Sequence, residues 1–284
     1  MKKYRIATRN SPLALKQAEM AIEYLSQRME GASFEVLEYK TTGDRRQDWS
    51  LEKMGGTGLF TKELQEALLS GEADIAVHSA KDLATLEPEG LCLSAFLPRD
   101  AALDVFVGKD LPLHSCIATG SPRRRAQLKK MFPNAVWTEI RGSVHTRLKK
   151  ISNADSNIDA TILSSAGLLR LGIDNFEGLK FRPIKVHCCV PAVAQGIIAL
   201  ETRLELKDEL AQYTDPEATQ AFLLEKRFLE CLGGGCQVAY AAHFDGETFH
   251  SFHEKSDYQK YTFKSSNLKE RLFEIEEIAK KLID

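Results

Sequence analysis

Ile6-Ala7-Thr8-Arg9-Asn10-Ser11-Pro12 returns, one residue shorter, as Ile117-Ala118-Thr119-Gly120-Ser121-Pro122. In each copy an apolar run leads into Ser-Pro, and a serine N-cap ahead of proline at the first helical position is a strong helix start. The chain therefore writes the same strand-to-helix turn twice, which points to two similar α/β domains facing one cleft. The free N–H groups and positive dipole end of such a helix suit an anion. Taken alone, the echo is equally compatible with two unrelated helices that happen to begin with Ser-Pro.

Outward from these turns, short apolar runs alternate with amphipathic stretches, the pattern of an α/β protein. Strands are expected at 4–8, 34–39, 73–77, 103–107, 116–119, 135–138, 160–163 and 184–190. Helices are expected at 12–29, 61–69, 122–131, 144–151 and 192–204. The chain reads differently from Pro216 onward: a helix near 217–232, a glycine-rich turn, two or three strands and a charged helix near 268–283. That region is expected to form a small α+β domain.

A chain of 284 residues suggests two or three domains. Its 43% hydrophobic and 27% charged residues are those of an ordinary globular protein. The net charge of -2 gives no global pull toward nucleic acid or anionic membrane, so anion binding must come from local clusters. Arg5 and Arg9 interrupt what would be the apolar region of a signal peptide. No stretch approaches the roughly 18 apolar residues of a membrane span. A cytoplasmic location is expected, with Cys92, Cys116, Cys188, Cys189, Cys231 and Cys236 as reduced thiols. No Cys/His spacing makes a zinc site.

Four features carry chemistry. The first is arginine: Arg9 in the first turn, Arg123-Arg124-Arg125 after the second, Arg141 and Arg147 around Gly142-Ser143, and Arg170. These sit at turns after expected strands, where open α/β sheets bind ligands. Each guanidinium pairs bidentately with a carboxylate or phosphate, so the set suggests a multiply anionic ligand. Cations at a helix N-terminus oppose its dipole, so Arg123 and Arg124 are poorly placed for helix stability alone. A single arginine would suit a solvated face; the set favours a ligand. The second feature is Lys81-Asp82, closing the run Ala73-Asp74-Ile75-Ala76-Val77-His78-Ser79-Ala80. A carboxylate among arginines stays ionised and can accept hydrogen bonds from substrate N–H groups, although the pair alone suits a surface ion pair. The third is Gly233-Gly234-Gly235-Cys236, a loop of little bulk carrying a thiol that is either a nucleophile or a small buried hydrophobe. The fourth is Gly55-Gly56-Thr57-Gly58, which lacks the Walker ending and reads as a lid over the cleft.

In their order and spacing, these segments resemble the porphobilinogen deaminase family along nearly the whole chain. The motifs are Arg5-Ile6-Ala7-Thr8-Arg9 with Ser11-Pro12-Leu13-Ala14-Leu15, Gly55-Gly56-x-Gly58-Leu59-Phe60, Ala73 to Asp82, and Ser121-x-Arg123-Arg124. Arg141-Gly142, Ala166-Gly167-Leu168, Pro191-Ala192-Val193-x-Gln195-Gly196 and Gly234-Gly235-Cys236-Gln237-Val238 complete the set. The resemblance implies two α/β domains like those of type II periplasmic binding proteins, plus a small C-terminal α+β domain. Domain 1 would be discontinuous (1–97 and 192–214), domain 2 would span 98–191, and domain 3, with the cofactor cysteine, 215–284.

The resemblance also implies a dipyrromethane cofactor in thioether linkage to Cys236, and condensation of four porphobilinogen molecules with loss of ammonia. Hydrolysis would then release hydroxymethylbilane. Asp82 matches the family's catalytic aspartate. Cofactor contacts would fall to Lys81, Ser121, Arg123, Arg124, Arg141, Gly142, Ser143, Arg147 and Ser11, and substrate contacts to Arg9, Arg170, Gln195 and Lys53. By analogy the protein is expected to be a monomer that binds neither nucleic acid nor membrane.

Several positions depart from the family pattern. Thr57 stands where lysine is common, Ser143 where asparagine follows Arg-Gly, and Leu103 where arginine precedes Asp104. His145 and Leu83-Ala84 are also unusual, and Cys188-Cys189 is an unexpected vicinal pair. These departures motivate one rival, a degenerate deaminase that binds a pyrrole without turnover. A two-lobed anion carrier is a second rival, against which the cysteine-bearing last region speaks. Nucleic-acid binding through Arg123-Arg124-Arg125 is a third, opposed by the acidic balance and the lack of interleaved aromatics.

Overall fold

The computed structural model describes residues 2–45, 59–109, 115–233 and 239–283. Lys53, Thr57 with its glycine loop, and Cys236 with Gly234 and Gly235 lie outside the described residues. In chain order the strands are β1 (Lys2–Arg9), β2 (Ala32–Tyr39), β3 (Ile75–Ser79), β4 (Leu91–Phe96), β5 (Asp104–Gly108), β6 (Cys116–Ala118), β7 (Val136–Thr138), β8 (Ala160–Ser164), β9 (Lys180–Pro183), β10 (Ile198–Arg203), β11 (Tyr240–Phe244), β12 (Thr248–His253) and β13 (Asp257–Thr262). The chain divides into two compact units: Met1–Gln47, Gly56–Asp100 and Gly196–Phe222 form the first, and Asp48–Gly55, Ala101–Gln195 and Leu223–Asp284 the second.

The first unit is built on a five-stranded sheet of order β2-β1-β3-β10-β4. β1 runs parallel to β2 and β3, whereas β10 runs antiparallel to β3 and β4. Side chains alternate across a strand, so neighbours on β1 serve opposite cores. Tyr4 and Ile6 pack with Ala18, Ala21 and Leu25 of the helix Pro12–Ser26. Ala7, between them and Thr8, packs with Leu64, Ala67 and Leu68 of the helix Lys62–Leu69. Both faces of the sheet are covered, which is why its strands read as continuous apolar runs.

The second unit repeats the plan. Its sheet has order β7-β6-β8-β5-β9, with β6 parallel to β7 and β8, and β5 antiparallel to β8 and β9. Each sheet thus has its second, first and third strands in a row, then an antiparallel strand from elsewhere in the chain, then its fourth. The echoed turns occupy equivalent places: β1 leads to the helix Pro12–Ser26 and β6 to the helix Pro122–Leu128, with Ser11 and Ser121 as N-caps. This is the doubled α/β arrangement that the two Ser-Pro turns imply. The second unit also carries the small antiparallel sheet β11-β12-β13, on which Phe228 of the helix Pro216–Cys231 meets Phe249. Among the described residues no helix is long and apolar enough to cross a membrane.

Three expectations need correction. Residues 184–190 are not a strand; β9 ends at Pro183, and the amides of Cys188 and Cys189 turn back to the Lys185 carbonyl. Their apolar character reflects burial of a turn, with Cys189 fully buried. Residues 192–204 are not a helix, because Ala194 and Gly196 have φ of 59° and 91°, and β10 follows. A Cβ on Gly196 would lie 2.5 Å from the Asp100 carbonyl oxygen, so only glycine fits there. The run Ile197–Leu200 is buried throughout and has no period that separates strand from helix. Finally, β4 is a strand with no counterpart among the expected elements.

Candidate active site

In the second unit the site grows from one buried carboxylate. Asp104 opens β5, a strand buried along its whole length, and is itself 0% exposed. A charge there demands partners. Arg123 and Arg124, on the first turn of the helix Pro122–Leu128, each donate Nη2 to it at 2.7 Å. The Gln195 amide donates to it at 2.9 Å and to the Ala102 carbonyl at 2.6 Å. The remaining Nη1 groups of the two arginines bond the carbonyls of Val190 (2.6 Å) and Ile162 (2.8 Å). Burial alone would push the Asp104 carboxyl up, but the two guanidiniums hold it far below the usual range.

Three residues of the expected ligand-binding set thus meet at Asp104. Arg123 and Arg124 start their helix against its dipole because Asp104 holds them, and Gln195 is directed to the same carboxylate. Cys189 belongs to this network, 3.4 Å from Arg123 Nη1 and 3.5 Å from Asp104 Oδ2, and burial pushes its thiol up to about 11. The vicinal Cys188 packs against the neighbouring core. Both are free thiols. Asp104 itself was not singled out in the sequence; its signal is a carboxylate heading an otherwise apolar strand.

Beyond Asp104, Arg124, Arg141 and Arg147 lie near enough for their like charges to interact. Arg147 is half-buried and donates Nε to the Gly142 carbonyl at 2.8 Å. Burial and then the like charges of Arg124 and Arg141 push it down to about 10. Among the described residues, the buried N–H groups at Arg124 Nε and Arg141 Nη1 meet no hydrogen-bond partner. Gly142 has φ of 114°, and a Cβ there would lie 2.8 Å from Thr146 Cγ2. That turn lets Ser143 cap the helix Val144–Ser152, accepting from the Thr146 amide at 3.2 Å. Ser143 therefore supplies the local cap that asparagine would. Arg170 lies buried in the last turn of the helix Ser165–Arg170, engaged within the fold.

The first unit holds Asp82 in a single 3-10 turn, Ala80–Asp82, directly after β3. It lines a small open recess together with Arg9, Gln17, Phe60, His78 and Ser79. The recess lies at the carboxyl end of parallel strands, the usual ligand position in open α/β sheets. Arg9 grips Asp44 through Nε (3.2 Å) and Nη2 (2.5 Å), and its guanidinium lies 4.3 Å from the Phe60 ring centre. Burial pushes Asp44 up, but hydrogen bonds from Arg9 and Thr41 outweigh it, and its carboxyl sits below the ordinary value. Arg9, expected against a ligand carboxylate, thus has an acidic partner within the fold. Ser11 caps the adjoining helix through the Ala14 amide, and Lys81 is exposed beside Asp82. Gln17, which exchanges hydrogen bonds with Ser79 at 2.8 and 3.1 Å, and His78 are recess residues that the sequence reading passed over.

The sequence model described as "Porphobilinogen deaminase, dipyromethane cofactor binding domain" matches residues 4–211. The chain belongs to the porphobilinogen deaminase family. The porphobilinogen deaminase of Geobacter metallireducens is 41% identical over 250 residues, covering 85% of this chain and 77% of that protein. That of Lysinibacillus sphaericus is 41% identical over 252 residues, covering 86% and 80%. The cofactor named by the family description fits the second unit of this deaminase chain. A dipyrromethane carries several carboxylates, and Arg124, Arg141 and Arg147 offer mutually repelling charges with two orphaned N–H groups.

Proposed function

We propose that this chain is a hydroxymethylbilane synthase, a transferase that condenses four porphobilinogen molecules with loss of ammonia and hydrolytically releases a linear tetrapyrrole. Membership of the deaminase family carries this reading, and the mutually repelling charges of Arg124, Arg141 and Arg147 support it. Each pyrrole brings an acetate and a propionate, so a growing chain is a growing polyanion. When bound, the dipyrromethane supplies the free pyrrole carbon from which the chain extends, and Cys236 is the residue we assign to hold it.

Arg123, Arg124, Arg141 and Arg147, with Lys81, Ser11, Ser121, Gly142 and Ser143, are assigned to the cofactor carboxylates. In this assignment Arg123 and Arg124 remain anchored by Asp104, and the spare donors on Arg124, Arg141 and Arg147 turn to the ligand. Arg9, Lys53, Arg170 and Gln195 are assigned to incoming substrate. Asp82 accepts hydrogen bonds from pyrrole N–H groups, stabilises the cation formed on the substrate as ammonia leaves, and helps move the proton that the attacked ring loses. The division into domain 1 (1–97, 192–214), domain 2 (98–191) and domain 3 (215–284), a monomeric state and a cytoplasmic location belong to the same proposal.

A turnover assay tests it: purified protein is expected to consume four porphobilinogen molecules and release four ammonia molecules per hydroxymethylbilane. Folded protein that consumes none would favour the degenerate binder. Arg141→Leu is expected to lower the fraction of cofactor-loaded protein or stall chain growth, read by intact mass and product yield. Normal loading with normal yield would remove Arg141 from the cofactor site.

A further inference from the structure

His78 is the most buried titratable group in the recess, 5% exposed, and no part of the mechanism above uses it. It stands on β3 four residues before Asp82, and both side chains line the same recess. Its Nε2 lies 2.9 Å from Glu201 Oε2, on the neighbouring strand β10. Glu201 is 1% exposed, and its other oxygen accepts from the Gln65 amide at 3.0 Å. A carboxylate accepts only, so this contact fixes the proton of neutral His78 on Nε2 and leaves Nδ1 with its lone pair. The arrangement is a carboxylate-oriented imidazole, the pairing that holds a catalytic base in one tautomer.

We propose that His78, oriented by Glu201, is a second acid–base group of the Asp82 recess, giving a proton from Nδ1 to the departing amine and taking back there the proton that the attacked pyrrole carbon then loses. This rests on the deaminase reading. The step balances: the amine takes a proton from His78 and departs as ammonia with the C–N electron pair, the C–C bond forms, and the proton lost from carbon restores His78 for the next unit. The charged and titratable groups around His78 are Glu201 from β10, Asp82 from the following turn, and Arg9 paired with Asp44. Asp82 steadies the cation, while an imidazole is the better proton carrier near neutral pH.

The test uses cofactor-loaded protein. His78→Gln keeps a donor toward Glu201 but carries no proton, and kcat is expected to fall about 10²-fold, within the range for loss of a general acid or base, with KM little changed. Glu201→Gln no longer holds the ring in one tautomer, so kcat is expected to fall with KM and thermal stability little changed; a purely structural pair would lower stability and leave kcat in place. Independently of turnover, nitrogen NMR of histidine-labelled parent protein is expected to show His78 protonated on Nε2. Its Nδ1 signal should shift when a porphobilinogen analogue lacking the amino group is added. Parent-like kcat in His78→Gln or in Glu201→Gln, or an Nδ1 signal indifferent to the analogue, would overturn the inference while leaving the deaminase reading intact. An inactive parent would remove both.

Discussion

Asp82→Asn is expected to yield a folded protein whose turnover falls about 10²- to 10⁴-fold. The substitution changes two atoms' chemistry and almost no volume. Asparagine still accepts a hydrogen bond from a pyrrole N–H, but it carries no negative charge and takes up no proton. Asp82 sits half-buried in a one-turn 3-10 segment at the mouth of the recess, where it contributes little to the core. Stability should therefore stay near that of the parent, and the loss should appear in kcat. The comparison needs porphobilinogen consumption and thermal melting on the same preparations. A variant that keeps most of its activity would show that Asp82 is not the group that steadies the substrate cation.

The largest effect on stability is expected from Asp104→Ala, a loss of about 3–5 kcal/mol, the range for breaking a buried ion pair from one side. The carboxylate is fully buried and accepts from Arg123, Arg124 and Gln195. Its removal leaves two buried cations facing each other without a counter-charge. The folded-state carboxyl is held far below the unfolded value, so its contribution is complete above the unfolded carboxylate pKa of about 4. It is lost only as pH falls below that value. Urea unfolding at neutral pH measures the loss, and repeating it in acid should narrow the gap between parent and variant. A difference under about 1 kcal/mol at neutral pH would mean that the arginines find other support. Because the same carboxylate fixes Arg124 beside Arg141 and Arg147, the variant should also load less cofactor.

Much of this architecture was legible in the chain because two local signals are strong. Ser11-Pro12 and Ser121-Pro122 start helices after buried strands, and the equivalent positions of β1 and β6 follow from that repeated turn. Sheet order was less legible. β5 and β10 insert antiparallel between strands of distant sequence, and nothing in an apolar run such as Ile197–Leu200 states which neighbours it will take. The same run was read as helix because burial on both faces erases the alternation that marks a strand. The arginine excess was visible in sequence, but its anchor was not: Asp104 precedes Arg123 by 19 residues, and only folding shows that one carboxylate serves two guanidiniums. Cys188-Cys189, unaccounted for in the sequence, follows from packing, with Cys189 filling space beside that ion cluster.

Attachment of a dipyrromethane to Cys236 is tested most directly by intact mass of the purified parent and of Cys236→Ser. The parent is expected to be heavier than its sequence by two deaminated porphobilinogen units, and the variant to have its bare mass. A parent that stays bare after incubation with porphobilinogen or preformed hydroxymethylbilane would contradict it.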